Sequence, residues 1–239
     1  DAAYADFVAQ LRTQGVSVVE PSAVFAGADM AKVKGDAGPA DINIALEKGS
    51  RGKATFYKPS ALPRQVMLAG DFTGSGMSSI GLNMQAGINS GAVATYARSA
   101  AVPVVDVVYL IDFSQQKRPG AFSFSGLQIN ANLAVVSGFS HMTVIGPNGK
   151  QNTVTINQPV SVEGDFVNMA DSTSGLSKAS QTAANIAGGL AAVAGLGGLR
   201  FGKTRKFEFT AKTGNYETGA VKAASLANTQ LVGQLAAQR

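Results

Sequence analysis

Tyr4, Phe7, Val8 and Leu11 recur at i, i+3, i+4 and i+7, the stripe of an amphipathic helix, and Gly15 is placed to stop it. Val16–Val19 then reads as a short strand ended by Pro21. Residues 27–60 are polar and glycine-punctuated, a long surface connection with one candidate helix around Ala40–Lys48. Gln65–Thr73 reads as a strand. From Ile80 the even positions (Ile80, Leu82, Met84, Ala86, Ile88) are apolar and the odd positions (Gly81, Asn83, Gln85, Gly87, Asn89) are polar or small. A period of two predicts a long alternating strand, or a hairpin turning at Asn89-Ser90-Gly91, over residues 80–97.

Val102–Phe113, broken by Pro103 and Asp106 and ending in Tyr109-Leu110-Ile111-Asp112-Phe113, reads as a buried strand. Strands are expected again over 122–126, 129–136 and 139–145. Pro147-Asn148-Gly149 marks a turn, with Thr153–Ile156 returning as the partner strand. A helix is expected to open at Asp171 or Ser172. Phe207–Thr210 reads as a short strand, and a closing helix from Glu217 or Thr218 carries Val221, Ala224, Leu226, Leu231 and Leu235. The expected fold is α+β: a mixed, mainly antiparallel sheet with helices packed from the N- and C-terminal segments. Residues 1–170 would form the core domain, with residues 171–239 packing on it.

Composition narrows the chemistry. Cysteine and tryptophan are absent and there is one histidine in 239 residues, which excludes thiol catalysis, disulfides and His-rich metal sites. Glycine is 28 residues, and only 15% of the chain is charged against about 25% in ordinary domains. The net charge of +5 is spread thinly. Its densest group, Arg200, Lys203, Arg205 and Lys206 beside Phe207 and Phe209, suits a membrane surface or acidic partner better than nucleic acid. The chain opens on Asp1, and its Ala, Gly, Ser, Thr and Asn-rich texture leads us to expect an exported bacterial protein.

Candidate catalytic groups are few. Ser140 adjoins His141, but neighbours on a strand point to opposite faces, so a triad would need another serine and an acid such as Asp165 or Asp112. Asp106 and Asp112 on one strand would stand about 20 Å apart, too far for a glycosidase pair. Asp71, Glu163 and Asp165 leave a carboxylate site open. The loop Gly70–Gly76 lacks the Gly-Lys-Ser/Thr ending of a phosphate cradle and reads as a strand connection. No catalytic, cofactor-binding or metal-ligating residue is assigned, and no cofactor is expected.

Two segments are candidates for contacts. Ile80, Leu82, Met84 and Ile88 form either the half-buried face of a soluble sheet, a subunit contact, or a membrane strand, since about 9–11 alternating residues span a bilayer. Ala183–Leu199 contains only Ala, Gly, Leu, Val, Ile and one Asn; Gly188, Leu190, Val193 and Leu196 are its candidate contact residues. It reads foremost as a tightly packed interface helix, with a membrane-touching segment and a glycine-rich loop as alternatives.

The order of these elements carries a resemblance: Phe7, Val8 and Leu11, then Gly15 and Val16–Val19, then Val66–Gly74, then Val104–Asp112. Over about residues 4–20 and 65–125 it resembles the CsgG family of curli secretion channels and the related TolB N-terminal-like periplasmic domains. The resemblance implies an α/β domain whose long hairpins build a ring-shaped outer-membrane pore, with Ile80–Ala97 as the membrane hairpin. Together these readings predict a non-enzymatic, exported subunit of a cell-envelope secretion or appendage assembly in the periplasm or outer membrane. It would act as a homo-oligomer or with other envelope proteins, with membrane contact and without nucleic acid. The alternative is a soluble periplasmic ligand-binding module or a carboxylate-based hydrolase.

Overall fold

The structure is a computed structural model, and it describes residues 1–44, 52–71, 80–112, 115–117, 128–130, 132–137, 139–171 and 207–237. The elements run α1 (Ala2–Thr13), α2 (Pro21–Phe25), a 3-10 turn (Met30–Lys32), β1 (Gly35–Asp36), β2 (Ala40–Ile44), β3 (Gly52–Phe56) and β4 (Gln65–Val66). Then come α3 (Ile80–Ala100), β5 (Val104–Val108), β6 (Ile111–Asp112), β7 (Gln115–Lys117), β8 (Gln128–Asn130), β9 (Leu133–Val135) and β10 (His141–Ile145). The chain closes with β11 (Gln151–Thr155), β12 (Val160–Val162), β13 (Val167–Asp171), β14 (Phe207–Ala211) and α4 (Asn215–Ala236). This is the expected α+β class: every described strand pair is antiparallel, and helices form at both chain ends.

The chain divides into two units, residues 1–164 with 218–239, and residues 165–217. In the first, β10 lies between β11 and β5, and β9 lies between β12 and β6. The turn expected at Pro147-Asn148-Gly149 joins β10 to β11, with Asn148 Oδ1 accepting the Lys150 N–H at 2.9 Å. In the second unit, β13 pairs with β14, Lys212 N–H donates to the Phe166 carbonyl, and Lys212 Nζ lies 2.5 Å from Asp165 Oδ1.

Helix α1 buries the expected Phe7, Val8 and Leu11. At its end the Val16 N–H bonds the Leu11 carbonyl and the Gly15 N–H bonds that of Arg12, a Schellman closure that needs the left-handed φ of +75° found at Gly15. Four local expectations are corrected. Val16–Val19 is irregular, and Pro21 opens α2 at its first turn, where a missing N–H costs nothing. Ala40–Ile44 is a strand, because it pairs along its length with Gly52–Phe56. Residues 27–60 hold the 3-10 turn and β1–β3; a Cβ at Gly35 would lie 1.7 Å from the Gln65 carbonyl, so β1 approaches β4 only as glycine. In place of a strand over Gln65–Thr73, β4 ends at Val66 and a turn over 67–71 follows.

The largest correction concerns residues 80–97, which form not a strand or hairpin but most of the 21-residue α3. Ile80, Met84 and Ile88 are four apart, a spacing that satisfies a period of two and also approximates one helical turn. The residues that decide are the buried ones: Ala86, Asn89, Ala92, Val93 and Ala97 follow the helical period. Small alanines let α3 lie close over the sheet. Val93 and Ala97 join Met30, Val33, Leu68 and Ile145 in one buried cluster, with Val104 of β5 packed against it.

Helix α4 buries Ala223, Ala224, Ala227, Asn228, Leu231 and Val232, whereas Val221 and Leu226 of the expected set face solvent. It pairs with α1 through Gln10 Nε2, which donates to the Ser225 carbonyl, and through Asn228 Nδ2, which donates to the Ala3 carbonyl and Asp6 Oδ2. Tyr109, just past β5, donates its hydroxyl to Asn228 Oδ1.

Candidate functional site

In the antiparallel register, His141 faces Val108, Thr143 faces Asp106 and Ile145 faces Val104. Alternation places these six residues on one side of the sheet, and the Ile145–Val104 end is the one covered by α3. At the other end the polar members, His141, Thr143 and Asp106, meet Asp71 from the turn that precedes α3. The turn is tied from four directions. Ser90 Oγ accepts the Ala69 N–H at 2.8 Å, and Gln151 Nε2 donates to the Ala69 carbonyl at 2.8 Å. Asn89 Nδ2 donates to the Met67 carbonyl, and Asp71 accepts the Leu68 N–H on Oδ2 at 2.5 Å.

So held, Asp71 presents Oδ1 at 3.2 Å from His141 Nε2, with both side chains buried. Asp106 is the next neighbour. Its strand keeps partial exposure, but Oδ2 is closed to solvent and no N–H or O–H donor reaches it. Burial pushes the Asp106 carboxyl well above the usual carboxylate range; the Asp71 charge and a hydrogen bond to Asp71 push the same way. Two carboxyl groups share a hydrogen bond only when one carries a proton, and burial favours keeping that proton on Asp106. Thr143 Oγ1, fully buried opposite Asp106, likewise has no partner.

Ser140 is also fully buried, but its Oγ accepts the Leu110 N–H at 2.8 Å while His141 turns to Asp71. The serine is thus engaged with backbone on the face away from the histidine. Asp112 lies on β6, in a different sheet from Asp106, which corrects the placing of both on one strand. Asp165 is exposed and bound to Lys212. Among the described residues no group of three or more His, Cys, Asp or Glu could hold a metal ion. A shallow apolar dent between α1 and α4, lined by Leu11, Val16, Val232 and Leu235, encloses no room even for a water molecule and is not a small-molecule site.

The second candidate region is the outer face of α3. Ile80, Leu82, Met84 and Ile88 are 54%, 43%, 66% and 57% exposed. On the helix, Ile80, Met84 and Ile88 form one ridge at i, i+4 and i+8, and Leu82 stands apart from it. Gly188, Leu190, Val193 and Leu196 of the Ala183–Leu199 segment lie outside the described residues, as does the helix expected from Ser172. Among the described residues no helix is long and apolar enough to cross a membrane.

Sequence reasoning named His141, Asp71 and Asp106 singly and did not join them. The signal was Asp106 itself, the one charge in a β-branched run, since a charge entering a core demands a partner. No protein-family description, curated protein or solved structure matches this chain.

Proposed function

We propose that this chain is a non-enzymatic subunit of an exported bacterial cell-envelope assembly, associating with further copies of itself through the outer face of α3. The observation that carries this reading is the ridge of Ile80, Met84 and Ile88, with Leu82 nearby, left in water on a helix with no charged residue from Ile80 to Ala97. Large apolar side chains exposed together gain about 25 cal/mol per Å² when covered. A face without charge offers nothing to a basic or acidic partner, and the basic residues that favour lipid headgroups are missing from it. An identical uncharged face fits better. Gly87 and Gly91 beside the ridge leave open space where a Cβ would stand, so Met84 and Ile88 of one copy can settle over the glycines of another.

A periplasmic or outer-membrane location, with other envelope proteins as additional partners, belongs to the same proposal. It draws on composition and on the resemblance to the CsgG family. Residues 80–97 enter it as a helical docking face rather than a channel-lining strand. Light scattering after size exclusion, with and without detergent, tests the proposal. The expected result is a multiple of 24.4 kDa that collapses to one chain mass in Met84→Asp. A 24.4 kDa species at every concentration, indifferent to detergent, would sink it.

The Asp71–Asp106 pair favours a second reading, the carboxylate-based hydrolase, because a shared proton between two acids is what such chemistry uses. Burial of Asp71 and His141 weighs against it, since a substrate must touch the acid. Hydrolysis of an ester, glycoside or peptide panel that disappears in Asp106→Asn would reverse that order.

A further inference from the structure

The Asp71–Asp106–His141 cluster lies outside the contacts invoked above, and the inference from it does not rest on the assembly reading. We propose that the contact between Asp71 and Asp106 is a pH-operated latch that fastens the turn over residues 67–71 to strands β5 and β10. Three geometric facts carry it. Asp106 Oδ2 is buried with no donor in reach, and the Asp106 carboxyl lies within hydrogen-bonding reach of Asp71. Asp71 already accepts from the Leu68 N–H on Oδ2 and lies against His141 on Oδ1, so both of its oxygens are held in place. Asp71 is also the point where the turn reaches β5 and β10, its other ties running to Asn89 and Ser90 of α3 and to Gln151 of β11, the neighbouring strand of the same sheet.

Removing the proton leaves two carboxylates in contact away from water, which neither burial nor Coulomb repulsion tolerates. The other groups facing the pair do not relieve this. His141 of β10 is already bound to Asp71, and Thr143 of β10 carries no charge. Tyr109 beyond β5 donates to Asn228, and burial, then the charges of Asp6 and Asp106, hold its proton on. On α3 the first cation is Arg98, which lies over Gly149 at the β10–β11 turn, and Tyr96 lies over Gly27. β11 brings Gln151, which is neutral. The pair therefore loses its proton only by parting, and since β5 and β10 are bonded to each other along their length, the turn is the element that yields.

The test uses the full chain and its Asp106→Asn variant, in which an amide N–H₂ replaces the acid proton toward Asp71. Folding equilibria are measured by denaturant titration between pH 4 and pH 9. The wild type is expected to lose folding equilibrium relative to the variant by up to about tenfold per pH unit until Asp106 ionises. Amide exchange, corrected for its intrinsic pH dependence, is expected to rise over residues 67–71 in the wild type and to stay flat in Asp106→Asn. Infrared titration of the wild type alone is expected to show one protonated-carboxyl band persisting well above pH 4. Parallel stability profiles in the two proteins, or the loss of every protonated-carboxyl band by pH 5, would overturn the latch. Should Asp106→Asn not fold, Asp71→Asn is expected to reduce the pH dependence, leaving the part due to burial of Asp106, and a profile unchanged from wild type in that variant would refute the proposal equally.

Discussion

Two buried polar networks hold this fold, and they are built on opposite principles. Around Asn228, a neutral amide on α4, every group is matched: it accepts from the Tyr109 hydroxyl and donates to the Ala3 carbonyl and Asp6 Oδ2. Around Asp106, one acid faces another, and two buried atoms, Asp106 Oδ2 and Thr143 Oγ1, have no hydrogen-bond partner. A matched amide network pins its elements at any ordinary pH. A carboxyl pair pins them only while it keeps a proton. The same sheet thus has one fastening indifferent to pH, toward α1 and α4, and one sensitive to it, toward the 67–71 turn.

The comparison breaks first at Asn228. Asn228→Ala strips partners from the Tyr109 hydroxyl, the Ala3 carbonyl and Asp6, and is expected to cost about 2–4 kcal/mol in urea denaturation, independent of pH. Asn89→Ala is expected to cost somewhat less, about 2–3 kcal/mol, because Asn89 bonds both the N–H and the carbonyl of Lys34 and the carbonyl of Met67. A cost under about 0.5 kcal/mol in either variant would mean that water replaces the amide freely.

Asp106→Asn sharpens the contrast, since its effect depends on pH. The carboxyl is held above its ordinary value, so the folded chain binds that proton more tightly than the unfolded one. Its contribution is whole below about pH 4, where unfolded aspartate is also protonated, and is lost as pH rises toward the folded group's own midpoint. The substitution is expected to change stability by less than about 1 kcal/mol at pH 4 and to stabilise above it. Denaturation curves at pH 4 and pH 8 check the sign. The smallest effect is expected at Ile88→Ser, within about 0.5 kcal/mol, because the residue is exposed. The readout there is particle mass, and an unchanged mass would take Ile88 out of the docking face.

What the sequence made legible was local. Leu11, Gly15 and Val16 lie within one turn of each other, so their pattern is sufficient to mark the end of α1. The β10–β11 hairpin was equally plain, because Pro147-Asn148-Gly149 and its flanking strands are contiguous. Residues 80–97 misled because a spacing of four serves two periods; only the sheet beneath selects Ala92, Val93 and Ala97 as the inner face. The Asp71–Asp106 pair was out of reach for a related reason. It joins a turn to a strand across the whole of α3, and no spacing along the chain encodes that meeting.

The pairing of α1 with α4 has a consequence for how the chain is made. Gln10 reaches Ser225 across 215 positions, so during synthesis α1 waits for α4. At about 5–20 residues per second on the ribosome, that wait is roughly 10–40 s. The outer side of α1 is closed by α4, and a chain arrested before Ser225 is expected to leave Leu11 uncovered. Amide protection over α1 in such a chain would show that the helix finds another shelter first. Otherwise α1 stays open to solvent until α4 arrives.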